Sequence, residues 1–217
     1  MVVNFMGLLK RNYGTSFDET ATKYVDFAVD GALRMKQLID ALLQYSRVDG
    51  RGGSFGRVRL QASFDNVVRA LPLLVEESGA SIQCDPLPEV WGDQAQLEQV
   101  FQNLVANAIK FRGERAPQIH VHCEEHSSHW EISVSDNGIG FEPQHAERIF
   151  AMFQRLHHRQ AYAGSGIGLA IAKRIINRHG GKIWASATPG QGAVFTFSLP
   201  KRHTLEQTNP ELKQAAR

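Results

Sequence analysis

No run of the 217-residue chain approaches the roughly 18–20 consecutive apolar residues that cross a bilayer. The N-terminus also lacks the small-residue cleavage site of a signal peptide. Cysteine is nearly absent. Cys84 and Cys123 are the only two, both in strand-like apolar stretches, so we expect them reduced and buried rather than paired. A surplus of one charge is missing too. The 24 basic and 22 acidic residues leave a net charge of +2, too small to argue for nucleic acid or an anionic membrane. These absences leave a soluble, cytoplasmic piece, long enough for one large domain or one domain plus an appendage.

Two phosphate-binding templates are absent as well. The stretch AGSGIGLAIAKRI places Gly164, Gly166 and Gly168 at relative positions one, three and five, with Leu169 at six. The Rossmann fingerprint needs glycines at one, three and six, and a Walker loop needs Gly-Lys followed by Ser or Thr. Neither is here, so the rest of the chain must say what these glycines hold.

Residues 1–12 read as the end of a helix, 13–16 as a turn, and 17–48 as a long helix. Tyr24, Ala28, Gly31, Met35, Leu38, Leu42 and Tyr45 recur at 4, 3, 4, 3, 4, 3, a heptad seam. A helix tail, a turn and a heptad helix predict an antiparallel hairpin, the unit of helical bundles. The linker at 49–57 follows, with four glycines in DGRGGSFGR. From 58 to 200 the pattern is mixed. Strands are predicted at 58–60, 81–84, 118–124, 130–135, 182–187 and 193–199, and helices at 62–78, 94–112, 143–156 and 166–179. Asp93 is placed to cap the second of these helices. Residues 201–217 form a polar tail. Helices against a mostly antiparallel sheet give an α+β sandwich.

Three segments carry chemistry. On the helix QLEQVFQNLVANAIKF, Asn103, Asn107 and Lys110 share one stripe beside an apolar stripe. Asparagine is a mediocre helix former, and an amide oxygen suits Mg²⁺ without adding a full charge. In HWEISVSDNGIGF, Asp136 ends a row of inward residues, where a carboxylate is costly unless it finds donors such as an adenine amine. Gly138 and Gly140 then let the backbone lie against a flat ring. Gly164, Gly166 and Gly168 precede a helix whose first N–H groups attract phosphate. Between the last two segments, RLHHRQAYA reads as a polar lid with His157, His158 and Arg159 solvated. His120 and His122 share one strand face, but no thiolate or carboxylate stands at a ligand spacing beside them, so they do not read as a zinc site. Trp184 and Phe195 read as sheet packing.

Taken in order, these motifs resemble the ATP-binding catalytic domain of sensor histidine kinases, within the wider group that includes gyrase and the mismatch-repair ATPases. NLVANAIKF is similar to that family's N box, DNGIG and GSGIGLAIAKRI to its two glycine boxes, and IFAMFQRL to the phenylalanine-containing box between them. The likeness covers about Val58 to Pro200, and its wording is closest to the phytochrome-type subgroup. Ser165, where that subgroup often has threonine, is a mild departure. The resemblance implies a Bergerat-type ATP-binding sandwich of mixed sheet and three helices. It implies Mg²⁺ on Asn107 with Asn103 as a polar neighbour, Lys110 on the phosphates, and Asp136 on the adenine amine. Gly138 and Gly140 would shape the adenine pocket, and Gly164, Gly166, Gly168 and Leu169 the phosphate side. A response regulator receiver domain is the implied partner, and a homodimer is implied for the parent protein, with no nucleic acid and no membrane segment.

One position separates branches of the group. Its hydrolytic members carry a water-activating glutamate where this chain has Asn103, and a neutral amide cannot accept that proton. Phosphotransfer to a histidine needs no such base, because neutral imidazole attacks with its own lone pair. Two alternatives remain: a serine kinase of the anti-sigma-factor type, against which residues 1–48 count, and a nucleotide-binding interaction module without kinase activity. The family's phosphoacceptor histidine sits in the first helix of the hairpin, yet the first of the nine histidines here is His120. The expectation is a partial hairpin whose histidine-bearing segment lies before Met1. Incubated alone with radiolabelled ATP, the chain should then take up no acid-labile label.

Overall fold

The computed structural model describes residues 1–50, 54–154, 156 and 166–201. Contacts divide the chain into two compact units, Met1–Ser46 and Arg47–Arg217.

The first unit is helical. Helix α1 (Val2–Tyr13) passes through a 3-10 turn (Gly14–Ser16) into α2 (Glu19–Gly50), which runs on past the unit boundary. Asp18 starts α2 by accepting the N–H of Ala21 at 2.6 Å, and Lys23 pairs with Glu19 one turn away at 2.7 Å. Lys10 reaches Asp26 at 2.6 Å and ties α1 to the early turns of α2. Much of the apolar surface is uncovered. Phe5, Tyr24, Phe27, Met35, Ile39 and Leu42 are all exposed, so three positions of the heptad seam face outward, whereas Val25 and Ala41 are buried.

In the second unit a two-stranded antiparallel pair, β1 (Gly56–Arg59) with β3 (Glu89–Gly92), stands apart from a five-stranded sheet. The sheet order is β2 (Ser81–Cys84), β4 (Gln118–Glu125), β5 (His129–Asp136), β7 (Gly192–Pro200), β6 (Ile183–Thr188). Only β2 and β4 run parallel; the other neighbours are antiparallel. Alternation drives the strands: Ile119 and Val121 are buried on β4 while His120 and His122 face out, and Phe195, Phe197 and Leu199 are buried on β7.

Helices α3 (Leu60–Arg69), α5 (Gln94–Lys110) and α6 (Gly168–Arg178) present their apolar faces to this core. The helix expected over 62–78 is broken. Pro72 lacks an N–H and crowds the preceding turn, so α3 ends and a short α4 (Pro72–Ser78) restarts with proline in its first turn. The helix expected over 143–156 is replaced by two 3-10 turns, Pro143–His145 and Arg148–Phe150. The short strand β3 was not legible as one. Both cysteines are free thiols and half-buried rather than buried. Burial pushes the Cys84 thiol up to about 11, which keeps it protonated and unreactive at neutral pH. Trp184 is exposed, unlike Phe195.

A polar knot sets α5 against α6. Asp93 caps α5, accepting the Gln96 N–H at 3.3 Å and Arg178 at 3.4 Å. The buried His179 accepts the Asp93 N–H at Nε2 (3.0 Å), so its Nδ1 carries the proton and donates to the Ile175 carbonyl at 2.8 Å. At the centre Phe101 is fully buried, edge-on to Phe64 of α3 at 5.4 Å and to Phe197 of β7 at 5.8 Å. Phe101→Ala should therefore lower unfolding free energy by about 3–5 kcal/mol in urea titrations followed by tryptophan fluorescence.

Candidate functional site

Asp136 is the last residue of β5 and follows the buried Ile132 and Val134 on the same face. Its Oδ1 accepts the Gly138 N–H at 2.8 Å and the Ala193 N–H at 3.3 Å. No donor among the described residues reaches Oδ2. Burial raises the carboxyl above its ordinary range, and the two amides only partly offset this. A half-buried carboxylate with one oxygen held and the other open can recognise an amine donor.

The glycines around it are demanded by close approach. A Cβ on Gly138 would lie 2.5 Å from the Phe111 carbonyl oxygen. Gly140 is left-handed (φ +61°), and a Cβ there would meet the Thr188 carbonyl oxygen at 2.2 Å. The Phe111 carbonyl accepts the Ile139 N–H at 3.0 Å, so the end of α5 is joined directly to this glycine turn.

Eight residues earlier on α5, roughly 12 Å along the axis, Asn103 meets the second glycine segment. Its Nδ2 donates to the Gly168 carbonyl at 3.0 Å, and its Oδ1 accepts a long bond from Gln99 at 3.4 Å. A Cβ on Gly168 would crowd that amide at 3.1 Å. Asn107 lies one turn on, between the two glycine segments. Its amide is half-buried and has no hydrogen-bond partner among the described residues. Lys110 lies over the Phe111 ring, 4.4 Å from its centre.

The N–H groups of Gly168, Leu169 and Ala170 precede the first intrahelical bond of α6, from Ile171 to Ile167 at 2.9 Å. Gly166 is left-handed (φ +72°), and its carbonyl accepts the N–H of Phe153 at 3.1 Å. Phe153 itself sits at φ +64°, a strained conformation for an aromatic residue. Gly164, Ser165, His157, His158 and Arg159 lie outside the described residues, as does all of the expected lid but Leu156.

Sequence reasoning reads TPGQG correctly as the turn of the β6–β7 hairpin but does not connect it to the site. Gly190 donates to the Ile139 carbonyl at 2.7 Å, Ala193 donates to Asp136, and Gly192 (φ +93°) leaves no room for a Cβ against the Asp136 carbonyl. The signal was TPGQG, which reads only as a hairpin until the register of β5 on β7 places it beside Asp136.

Residues 92–203 match the family of histidine kinase-, DNA gyrase B-, and HSP90-like ATPases. Cyanobacterial phytochrome A of Nostoc is 46% identical over 199 residues, which are 92% of this chain and 26% of that protein. The catalytic domain of the histidine kinase ThkA aligns at 28% identity with a TM-score of 0.60, over 69% of this chain and 97% of that one. ThkA in complex with the response regulator protein TrrA aligns at 24% and 0.66, over 92% and 57%. Full-length ShkA in complex with AMPPNP aligns at 25% identity and 0.66, over 92% and 42%. The chain spans about a quarter of the length of its curated phytochrome relatives.

The raised Asp136 carboxyl has a consequence for stability. Such a group favours the fold most below the ordinary carboxylate range, and that contribution is lost as pH rises through the folded-state value. At pH 7 the ionised side chain is thus a net liability. Asp136→Asn keeps an oxygen for Gly138 and Ala193 without the charge. The variant should unfold at a urea midpoint at least as high as the parent at pH 7. The gap should close as pH falls below about 4.

Proposed function

The chain belongs to the histidine kinase-, DNA gyrase B-, and HSP90-like ATPase family, and we propose that it is the ATP-binding catalytic part of a two-component sensor histidine kinase. It would transfer the γ-phosphate of ATP to a histidine of the parent protein. The observation that carries this reading is Asp136, a desolvated carboxylate with one oxygen fixed by two backbone amides and the other open, at the mouth of a glycine turn too tight for any side chain.

In this reading the open oxygen of Asp136 accepts the adenine amine, and Gly138 and Gly140 bring the backbone against the ring. The phosphates extend along α5 toward the N–H groups of Gly168 and Leu169. Lys110 supplies positive charge beside them, and Gly164 and Gly166 belong to the same segment. The residues fit a magnesium ion. Asn107 offers one uncommitted amide oxygen, and Mg²⁺ takes few protein ligands when phosphates supply the rest. When bound, it would neutralise charge on the transferring phosphoryl group.

Asn103 argues for transfer over hydrolysis. Its amide is committed to the Gly168 carbonyl and cannot serve as a base toward water. The relatives extend the reading. ThkA was solved with its response regulator, so a receiver domain is the proposed downstream partner. The exposed apolar side chains of α1 and α2 are offered as the homodimer surface of the parent protein. No helix among the described residues is long and apolar enough to cross a membrane, and use of ATP favours the cytoplasm.

The test mixes the chain with a separately prepared helical domain carrying a phosphoacceptor histidine of the phytochrome type. With radiolabelled ATP and Mg²⁺, acid-labile label should appear on that histidine. Asp136→Asn should weaken ATP binding roughly 10- to 100-fold, the worth of one hydrogen bond to a charged group. Nucleotide binding without transfer would sink the kinase reading in favour of the interaction module.

A further inference from the structure

The β4–β5 hairpin carries a second set of ligating side chains. It lies at the opposite end of β5 from Asp136, seven residues or roughly 24 Å along the strand. His126, His129 and Glu131 each present a ligand atom, and these atoms all lie within 4.8 Å of one another. Glu124 stands on a further side. Nε2 of His126 is 3.9 Å from a carboxylate oxygen of Glu124 and 3.9 Å from one of Glu131. Neither is a hydrogen bond. That nitrogen is nevertheless shielded from solvent and has no hydrogen-bond partner among the described residues. An orphaned buried polar atom is costly, and this one faces two carboxylates across a gap.

The hairpin holds the group in place. The His126 N–H donates to the His129 carbonyl at 3.0 Å, and the two rings stack at 4.6 Å. Ser128 meets Nδ1 of His129 at 3.1 Å, which leaves Nε2 for a ligand. Such an outer contact is how ligating imidazoles are oriented. The pair His120 and His122 is different. Asp85, invisible as a neighbour in the sequence, sits across the strands and occupies both rings, at 3.1 and 2.5 Å.

We propose that His126, His129 and Glu131, with Glu124 beside them, form a binding site for a divalent transition metal ion, zinc foremost. Two imidazoles with carboxylates suit zinc and its neighbours, whereas magnesium and calcium take oxygen. A tetrahedral ion with bonds of about 2.0–2.1 Å holds its ligand atoms roughly 3.3 Å apart. The 3.9 Å edges would contract by about half an ångström and wider ones, up to 4.8 Å, by up to about 1.5 Å, with the stacked rings rotating so that both nitrogens face the ion. The ion would pin the end of β4 to the start of β5, beside the point where β7 leaves the sheet. His129 pairs with Pro200, the Lys201 N–H donates to the Ser128 carbonyl at 3.0 Å, and the Lys201 ammonium holds Glu125 at 2.7 Å. Its effect is on stability, far from the nucleotide pocket.

The full chain, stripped with a chelator and kept free of nucleotide, is titrated with Zn²⁺ by calorimetry and with Co²⁺ by visible absorption. One equivalent should bind at micromolar strength with the intense bands of a tetrahedral cobalt site. Saturating zinc should raise the thermal midpoint by about 5 °C. His126→Ala and His129→Ala should each weaken binding at least about tenfold, and Glu131→Gln should do so without altering the fold by circular dichroism. The double variant His120→Asn/His122→Asn should bind as the parent does. Zinc affinity unchanged by the His126 and His129 substitutions, or absent below millimolar, overturns the proposal. No nucleotide is present, so the outcome is independent of the kinase reading.

Discussion

The register of α5 is the constraint on which the rest depends. Three hydrogen bonds fix that helix along its length. The Asp93 N–H bonds His179 at its start, the Asn103 amide bonds the Gly168 carbonyl in its middle, and the Phe111 carbonyl accepts from Ile139 at its end. Two of these bonds join α5 to the two ends of α6 and the third joins it to the glycine turn after β5, across separations of 86, 65 and 28 positions. A shift of one residue would break all three and turn Phe101 out of its place between Phe64 and Phe197. It would also swing Asn107 and Lys110 away from the space between the two glycine segments. Core packing and site assembly are therefore one condition, imposed by one helix with an apolar face and an amide face.

Asp136 shows the opposite relation between stability and site. A carboxylate at the end of an inward row is poorly solvated, and two amides do not fully compensate it. The fold nonetheless fits itself to this side chain. Gly138 donates to it, Ala193 donates to it, and Gly192 packs flat against its carbonyl. An uncharged residue of similar shape would satisfy those amides at lower cost. A charge held where packing alone would not keep it is what the proposed contact with an adenine amine requires.

Legibility in the sequence followed the range of the interactions. Alternation on β4, β5 and β7 and the double stripe of α5 are local patterns, and the observed elements lie within a residue or two of the expected ones. Asp93 was readable as a cap because its partner Gln96 is three positions away. The failures were of two kinds. Some local competition was misjudged: Pro72 cut a helix in two, and 143–156 folded as 3-10 turns. Other features are set by distant register. The turn at Gly190–Ala193 closes on Asp136 only because β7 lies beside β5, and Asp85 reaches His120 and His122 only because β2 lies beside β4. The heptad period of α2 is legible, yet its members Tyr24, Met35 and Leu42 are exposed while Val25 and Ala41, outside that seam, are buried. Periodicity identifies a face but not what covers it.

Asn103 joins these threads. Read alone, it was the neutral residue that replaces a catalytic base. In the fold its amide hydrogen points at a backbone carbonyl, and a carboxylate cannot make that bond because an ionised oxygen has nothing to donate. A glutamate there would set negative charge against the negative end of the Gly168 carbonyl, in a contact that a Cβ on that glycine would crowd at 3.1 Å. The same amide that cannot activate water is the group that docks α6, with its open N–H groups, onto α5. Restoring a base at this position would thus do more than add a proton acceptor. In the proposed binding mode it would loosen the phosphate side of the pocket from the adenine side, which would bind the choice between hydrolysis and transfer to how the two helices pack.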